Sequence, residues 1–328
     1  MTGKSADFAA IIPLFNKGPD VGAALASVLA QTHPVSEIIV VDDASTDDGA
    51  AVVAACADPR LRLLRRSTPG PGGYAARNLG IASSRARWLA FLDADDLWAA
   101  DHIASLAALA EAHPAAGCVA TRYDHVFANR READRIAGPV AAAAAAPAGG
   151  RIALGAFLES WLAAGHCPLW TGALAIRRDV LERSGGFPIG VAERGGDKDL
   201  WLRVLNVADL AFSGKSTASF RREAADKLTD RVDTRRVPCL VATAREIGRS
   251  AAPRERRLLR RLMNQEIGLY ARWTARDGGR PAIGLRDMAW PPAPAPLATL
   301  LAARLLPGAL LRGAYRWEHR RRARGRTS

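Results

Sequence analysis

Residues 88–98 read WLAFLDADDLW, an apolar run that stops at Asp93 and is followed by two more carboxylates, Asp95 and Asp96. A short run without a polar position reads as a strand buried on both faces, as the strands of parallel sheets are. In open sheets of that kind, ligands bind just beyond the carboxyl ends of the strands, so these acids stand where a site belongs. Three carboxylates in four residues repel one another unless a cation lies between them, and hard oxygen donors suit Mg²⁺ or Mn²⁺. A metal holding a diphosphate is the natural occupant. A solvated acidic turn opening the next helix is the alternative.

Outward from this stretch, strands alternate with helices. Residues 9–15, 37–41 and 60–65 read as strands before 88–92, and helices are expected over 18–31, 47–57, 74–83 and 101–112, the second opened by Ser45 and Thr46 as capping candidates. This alternation predicts an α/β fold, a mostly parallel sheet sandwiched by helices. Residues 119–127 and 171–176 read as further strands, 151–164, 178–184 and 197–207 as helices, and the alanine-rich 138–150 as a loop or insertion. A Pro-rich segment, 291–296, sets off a last apolar and basic helical stretch.

The second strand, EIIVV, runs into Asp42 and Asp43 as the fourth runs into Asp93, and parallel strands place both endings on one side of the sheet. Acids there can accept hydrogen bonds from a base and a ribose. Arg77 opens a helix behind GPGGY, where a guanidinium can reach a phosphate or the acidic cluster. The glycines at 70, 72 and 73 follow no long strand and lack dinucleotide spacing, so they read as a turn. GKS occurs at 3–5 and 214–216 without the preceding glycine of a P-loop, which excludes that class of kinase or ATPase.

Of the net charge of +13 over 328 residues, almost all falls after Ser250, where 17 arginines face five acids. Charge confined to an appendage is not the basic stripe of a nucleic-acid-binding core, so no nucleic-acid partner is expected. Four scattered cysteines and six scattered histidines show no ligand spacing, which fits a reducing cytoplasm without zinc or disulfides. No signal peptide is expected at the start. Residues 297–315 are apolar but interrupted by Arg304, Pro307 and Arg312, and the basic RWEHRRRARGR follows. Such a tail can lie on an anionic membrane surface, or pack as an ordinary amphipathic helix on its own domain.

AAIIPLFNK, SVLAQTHPVSEIIVVDDASTDDG, AARNLGIA, WLAFLDADDLW, RRDVLERSGGF and GGDKDLWLRV, in that order and at those separations, resemble the family 2 glycosyltransferases of the A-type (GT-A) fold, over 8–222. The resemblance implies a nucleotide-sugar-binding half over 1–120, an acceptor-binding half over 121–225, and a helical, Arg-rich extension over 226–328. It implies inverting transfer from a nucleoside-diphosphate sugar, UDP-linked, to a glycan or lipid-linked acceptor, in the cytoplasm or at the inner face of the plasma membrane.

By the same resemblance Pro13, Phe15 and Asp43 surround the base, Asp42 supports that loop, and Arg77 faces the nucleotide. Asp93-Ala94-Asp95 matches the DXD signature, with Asp95 near ribose, phosphate and metal and Asp96 a further metal contact. Asp197 falls on the general base, in a segment that normally reads Glu-Asp-x-Asp-Leu. Here it reads Gly196-Asp197-Lys198-Asp199-Leu200, without the glutamate. Asp199 is the second candidate for the base. Trp170 and Trp201 are candidates to stack on a sugar or to fill the core, and Arg221-Arg222 to meet donor phosphates or to form a solvated turn. A non-catalytic nucleotide- or glycan-binding module on the same fold is the alternative function, favoured only by the missing glutamate. A nucleotidyltransferase would want a lysine-bearing Gly-rich loop at the first strand, and a processive polymerase a Gln-x-x-Arg-Trp motif; neither is present.

Overall fold

The computed structural model describes residues 7–136, 138, 140, 142, 149–192, 194–222, 237–276 and 281–306. They belong to two compact units, one of Met1–Ala192 with Gly196–Leu228, the other of Glu193–Gly195 with Thr229–Ser328.

The first unit is built on one mixed sheet. Strands β1 (Phe8–Leu14), β2 (Glu37–Asp42), β3 (Leu61–Arg65) and β4 (Trp88–Phe91) pair in parallel in the order β3-β2-β1-β4. β1 and β4 are buried along almost their whole length, as their unbroken apolar sequences require. Helices α1 (Gly18–Leu29), α2 (Gly49–Ala54) and α3 (Tyr74–Ser83) make the crossovers, and α4 (His102–Ala112) follows the short strand β5 (Leu97–Trp98). α1 turns Val21, Ala24, Leu25 and Val28 inward, a spacing of three and four residues that draws one apolar stripe onto the sheet.

Beyond β4 the sheet stops being parallel. β9 (Leu174–Arg177) enters antiparallel between β4 and β6 (Ala116–Val126), and β10 (Asp209–Arg221) pairs in parallel with β6 and antiparallel with β5. The short strands β7 (Arg131–Ala133) and β8 (Gly150–Ile152) add to β6 and β10. α5 (Leu154–Ala164), α6 (Arg178–Ser184) and α7 (Gly196–Val207) complete the unit. The expected strand over 171–176 begins with a 3₁₀ turn, Thr171–Ala173, before β9. Most of the expected insertion over 138–150 lies outside the described residues.

The second unit packs α8 (Cys239–Ser250) and α10 (Pro294–Leu305) on the long α9 (Pro253–Arg276). Pro294 stands in the first turn of α10, where a missing N–H costs nothing, so part of the expected Pro-rich spacer is the start of a helix. Leu300 and Ala303 are buried against this unit, so the described part of the apolar tail is a packed helix. The basic segment 316–326 lies outside the described residues. Among the described residues no helix is long and apolar enough to cross a membrane.

Candidate active site

Two loops leave the carboxyl edge of β1 and β2 and are laced together. Asn16 Oδ1 accepts the Thr46 N–H at 2.8 Å, Ser45 Oγ accepts the Asn16 N–H at 3.1 Å, and the Asp47 carboxylate accepts the Gly18 N–H at 2.7 Å. Ser45 therefore serves the neighbouring loop and not the helix it was expected to cap; α2 starts at Gly49, two residues after the expected start at 47. Asp42 accepts the Ser45 N–H at 2.9 Å and so holds its own turn. Asp43 is 2% exposed and receives the Arg66 guanidinium together with the Gly70 N–H at 3.0 Å. Pro13 lies against Gly73, within ordinary contact of the position a Cβ would take there, and Phe15 is half-buried at the end of β1.

The acids after β4 divide by environment. Asp93 pairs with Arg77, and Asp95 pairs with Lys17 at 2.9 Å; the carboxylate side chains remain 29% and 19% exposed. Asp96 is buried, and its Oδ1 accepts the Arg221 N–H at 2.7 Å, tying this loop to the end of β10. Arg221 in turn reaches Asp20 at 2.7 Å. Arg77 also donates to the Gly72 carbonyl at 2.8 Å and lies over the Phe187 ring at 5.5 Å. The glycines before it form a tight turn in which Gly72 and Gly73 take φ of 67° and 66°, a left-handed conformation that side chains resist.

Phe187 joins Arg77 and α3 to α7. Its backbone is held at both ends by Asn78, whose amide donates to the Phe187 carbonyl at 2.8 Å and accepts its N–H at 2.9 Å. Its ring stacks on Tyr74 and meets Phe91 and Trp201 edge-on. Trp201 is fully buried in that cluster, so it fills the core and does not stack on a ligand. Trp170 packs on Tyr123 and Phe220 with part of its ring still accessible.

At the start of α7, Tyr74 Oη accepts the Gly196 N–H at 2.9 Å. Asp197 follows, half-buried, with no hydrogen-bond or ion-pair partner among the described residues. Asp199 is buried and receives Arg203 through Nε at 2.9 Å and Nη2 at 2.8 Å, while Arg203 also donates to the carbonyls of Ser184 and Gly186. Asp199 thus secures the loop after α6. The missing glutamate has a steric reason: a Cβ on Gly196 would lie 2.8 Å from the Tyr74 ring and 2.8 Å from Pro188.

A family model described as Glycosyl transferase family 2 matches residues 9–182, more than half of the chain. The chain belongs to that family. Its relatives include the succinoglycan biosynthesis protein ExoO of Rhizobium meliloti, 40% identical over 110 residues that make up 33% of this chain and 31% of that protein. A glucosyltransferase of Escherichia coli, WfgD, named for transfer from UDP-Glc to α-D-GlcNAc-diphosphoundecaprenol, is 36% identical over 93 residues, 28% of this chain and 36% of that protein. The matched segments thus span about a third of these relatives. Among solved structures, residues 1–349 of Staphylococcus aureus TarS with UDP-GlcNAc superpose with a TM-score of 0.67 at 16% identity, covering 90% of this chain and 79% of that one. A Pyrobaculum calidifontis mannosyltransferase with GDP-Man and Mn²⁺ gives 0.57 at 22% identity, covering 95% and 80%. The fold is of the GT-A type.

Several residues of this family 2 site were not singled out in the sequence. Lys17, Arg66 and Tyr74 each meet an acid or the start of α7 across 23 to 122 positions of chain, and only their basic or aromatic character could have drawn attention to them. As for a metal, Oδ2 of Asp93 and Oδ1 of Asp95 have no partner among the described residues, and two hard oxygens suit an ion that takes its other ligands from phosphate and water. Those two fit; Asp96, the other expected metal contact, is buried, with Oδ1 on the Arg221 N–H and no hydrogen bond to Oδ2 among the described residues. No group of three or more metal-binding side chains occurs among the described residues.

Proposed function

We propose that the chain is an inverting glycosyltransferase that moves a sugar from a UDP-linked donor to a hydroxyl of a glycan or lipid-linked acceptor. The observation that carries this reading is a continuous run of contacts from the donor acids to the base: Asp93 to Arg77, Arg77 along α3 to Tyr74, and Tyr74 to Gly196, next to Asp197. In this reading Pro13, Phe15 and Asp43 hold the base, with Asp42 behind them, and Asp93 and Asp95 face the ribose and diphosphate.

The chemistry asks for a proton acceptor and for positive charge at the leaving group. Asp197 takes the proton of the acceptor hydroxyl as that oxygen attacks the anomeric carbon from the face opposite the diphosphate. Arg77 moves no proton; it supplies fixed positive charge beside the diphosphate as the bond to the sugar breaks. Mg²⁺ or Mn²⁺, held by Asp95 with Asp96 or Asp93, would neutralise further charge on that leaving group. The solved mannosyltransferase with Mn²⁺ supports divalent-metal use.

A lipid-linked acceptor is supported by the named substrate of WfgD and by Ile189 and Val191, 60% and 71% exposed in the segment that runs toward α7. Such an acceptor places the enzyme at the inner face of the plasma membrane. The test is to incubate purified protein with a panel of nucleotide sugars and lipid-linked or soluble glycan acceptors and to follow products by mass spectrometry. Transfer from a UDP sugar, abolished in Asp197→Asn, supports the reading; nucleotide binding without turnover in every combination overturns it in favour of a binding module.

A further inference from the structure

The helical unit carries a cavity of about 370 Å³ between α8 and α9. Arg245 and Arg249 from α8 and Arg256 and Arg260 from α9 line it together with the buried, apolar Leu259 and Met263. Arg249 pairs with Glu246. Arg245 donates to the Asp287 carbonyl at 3.1 Å and Arg256 to the carbonyls of Gly248 and Ala251 at 3.0 Å each, so both keep their full charge. Arg260 has no partner among the described residues. Three arginines without an acidic partner among the described residues therefore line a mostly apolar hollow, in a stretch, 239–276, with nine arginines and three glutamates.

A second observation lies at its lip. Ala289, which lines the cavity, is clasped by Asn264: the Asn264 amide donates to the Ala289 carbonyl at 2.9 Å and accepts its N–H at 2.8 Å. The next residue, Trp290, is 64% exposed. A large aromatic held in water by a fixed backbone has the character of the rings that settle at the boundary between headgroups and acyl chains. Phosphate oxygens satisfy forked guanidinium donors, and an apolar lining beside them suits a ligand whose phosphate continues into hydrocarbon. No carboxylate or aromatic ring lines the hollow to hold a ribose or a base. Its size fits a headgroup and not a peptide helix.

We propose that this cavity seats the phosphate headgroup of an anionic membrane phospholipid, with Trp290 entering the interface beside it. This places the membrane contact on α8 and α9, apart from the basic tail, and it does not depend on the transfer reaction.

The test is co-sedimentation of the full chain with phosphatidylcholine vesicles with and without phosphatidylglycerol. Binding is expected only with phosphatidylglycerol. At about fivefold per basic residue near an anionic surface, Arg249→Gln with Arg260→Gln should weaken it by about thirtyfold. Arg257→Gln with Arg261→Gln removes the same charge from α9 outside the cavity and should cost clearly less. Brominated lipid should quench wild-type fluorescence more than that of Trp290→Phe. Equal losses in the two pairs would reduce the effect to diffuse charge and overturn the proposal. So would unchanged binding in the cavity pair, absence of binding by the full chain, or calorimetry in which soluble glycerol phosphate binds as tightly as the vesicles. If the pair lowers the thermal midpoint, Arg260→Gln alone, which breaks no ion pair, replaces it with an expected fivefold loss.

Discussion

The phenol oxygen of Tyr74 accepts the backbone N–H of Gly196 at 2.9 Å, so the first residue of α3 is tied to the first residue of α7. α3 carries Arg77 of the donor side and α7 carries Asp197. That hydrogen bond, with the Phe187 contacts to both helices, ties together the two halves of the proposed reaction. Tyr74→Phe should lower kcat by about two- to tenfold, the worth of one net hydrogen bond, with UDP affinity measured by calorimetry unchanged. An equal loss in nucleotide affinity would assign Tyr74 to donor binding alone.

The same ring explains the glycine. Gly196→Ala places a methyl 2.8 Å from Tyr74 and from Pro188, an overpacking expected to cost about 1–3 kcal/mol, read as a fall in thermal midpoint. Combined with Tyr74→Ala, the second change should cost less than it does alone, a coupling that a double-mutant cycle measures.

Asp197 and Asp199 are separated by what they touch. Asp197→Asn should cut transfer by about 10²–10⁴-fold with folding and nucleotide affinity intact. Asp199→Asn weakens the hold on Arg203 and hence on the loop after α6, so its main effect should be on stability. Reversed effects in kinetics and melting would exchange the two roles.

Most of the front half was legible because β1, β2 and β4 are short apolar runs, the last two closed by acids, and because α1 and α3 show their stripes plainly. The direction of β9 was not, since alternation and apolarity say nothing about which way a strand enters a sheet; its place between β4 and β6 comes from long-range packing. Among the site residues, acids stand out in sequence by their clustering after strands. Their partners do not: Lys17, Arg66 and Tyr74 gain meaning only when the chain closes 78, 23 and 122 positions onto Asp95, Asp43 and Gly196. Trp201 was open between ligand and core because helical spacing serves both, and burial against Phe187 decides it.

His102 offers a pH test of the fold. It is fully buried at the start of α4, Nδ1 within 2.7 Å of the Thr217 hydroxyl, and burial pushes its pKa down to about 3. The unfolded chain takes up this proton near pH 6.5, and the folded chain does not until about pH 3. Because the unfolded state binds more protons in that window, stability falls as pH drops, by up to about 1.4 kcal/mol per pH unit from this group. Melting temperatures of the wild type and His102→Gln between pH 7 and 5 should therefore converge as the solution becomes acidic.

Asp95→Asn should remove most of the gain in UDP affinity that Mn²⁺ brings over chelator, measured by calorimetry. Equal affinities with and without Mn²⁺ in the wild type would remove the metal from the proposed mechanism.

The pairing of Lys17 with Asp95 has a consequence for the order in which ligands load. With its ammonium in place, a divalent ion arriving alone must displace a cation from Asp95. When a diphosphate arrives as well, its oxygens offer the displaced ammonium a new counter-ion. Metal and nucleotide should therefore each raise the other's affinity by the same factor, a reciprocity that Lys17→Met would shrink by strengthening metal binding in the absence of nucleotide.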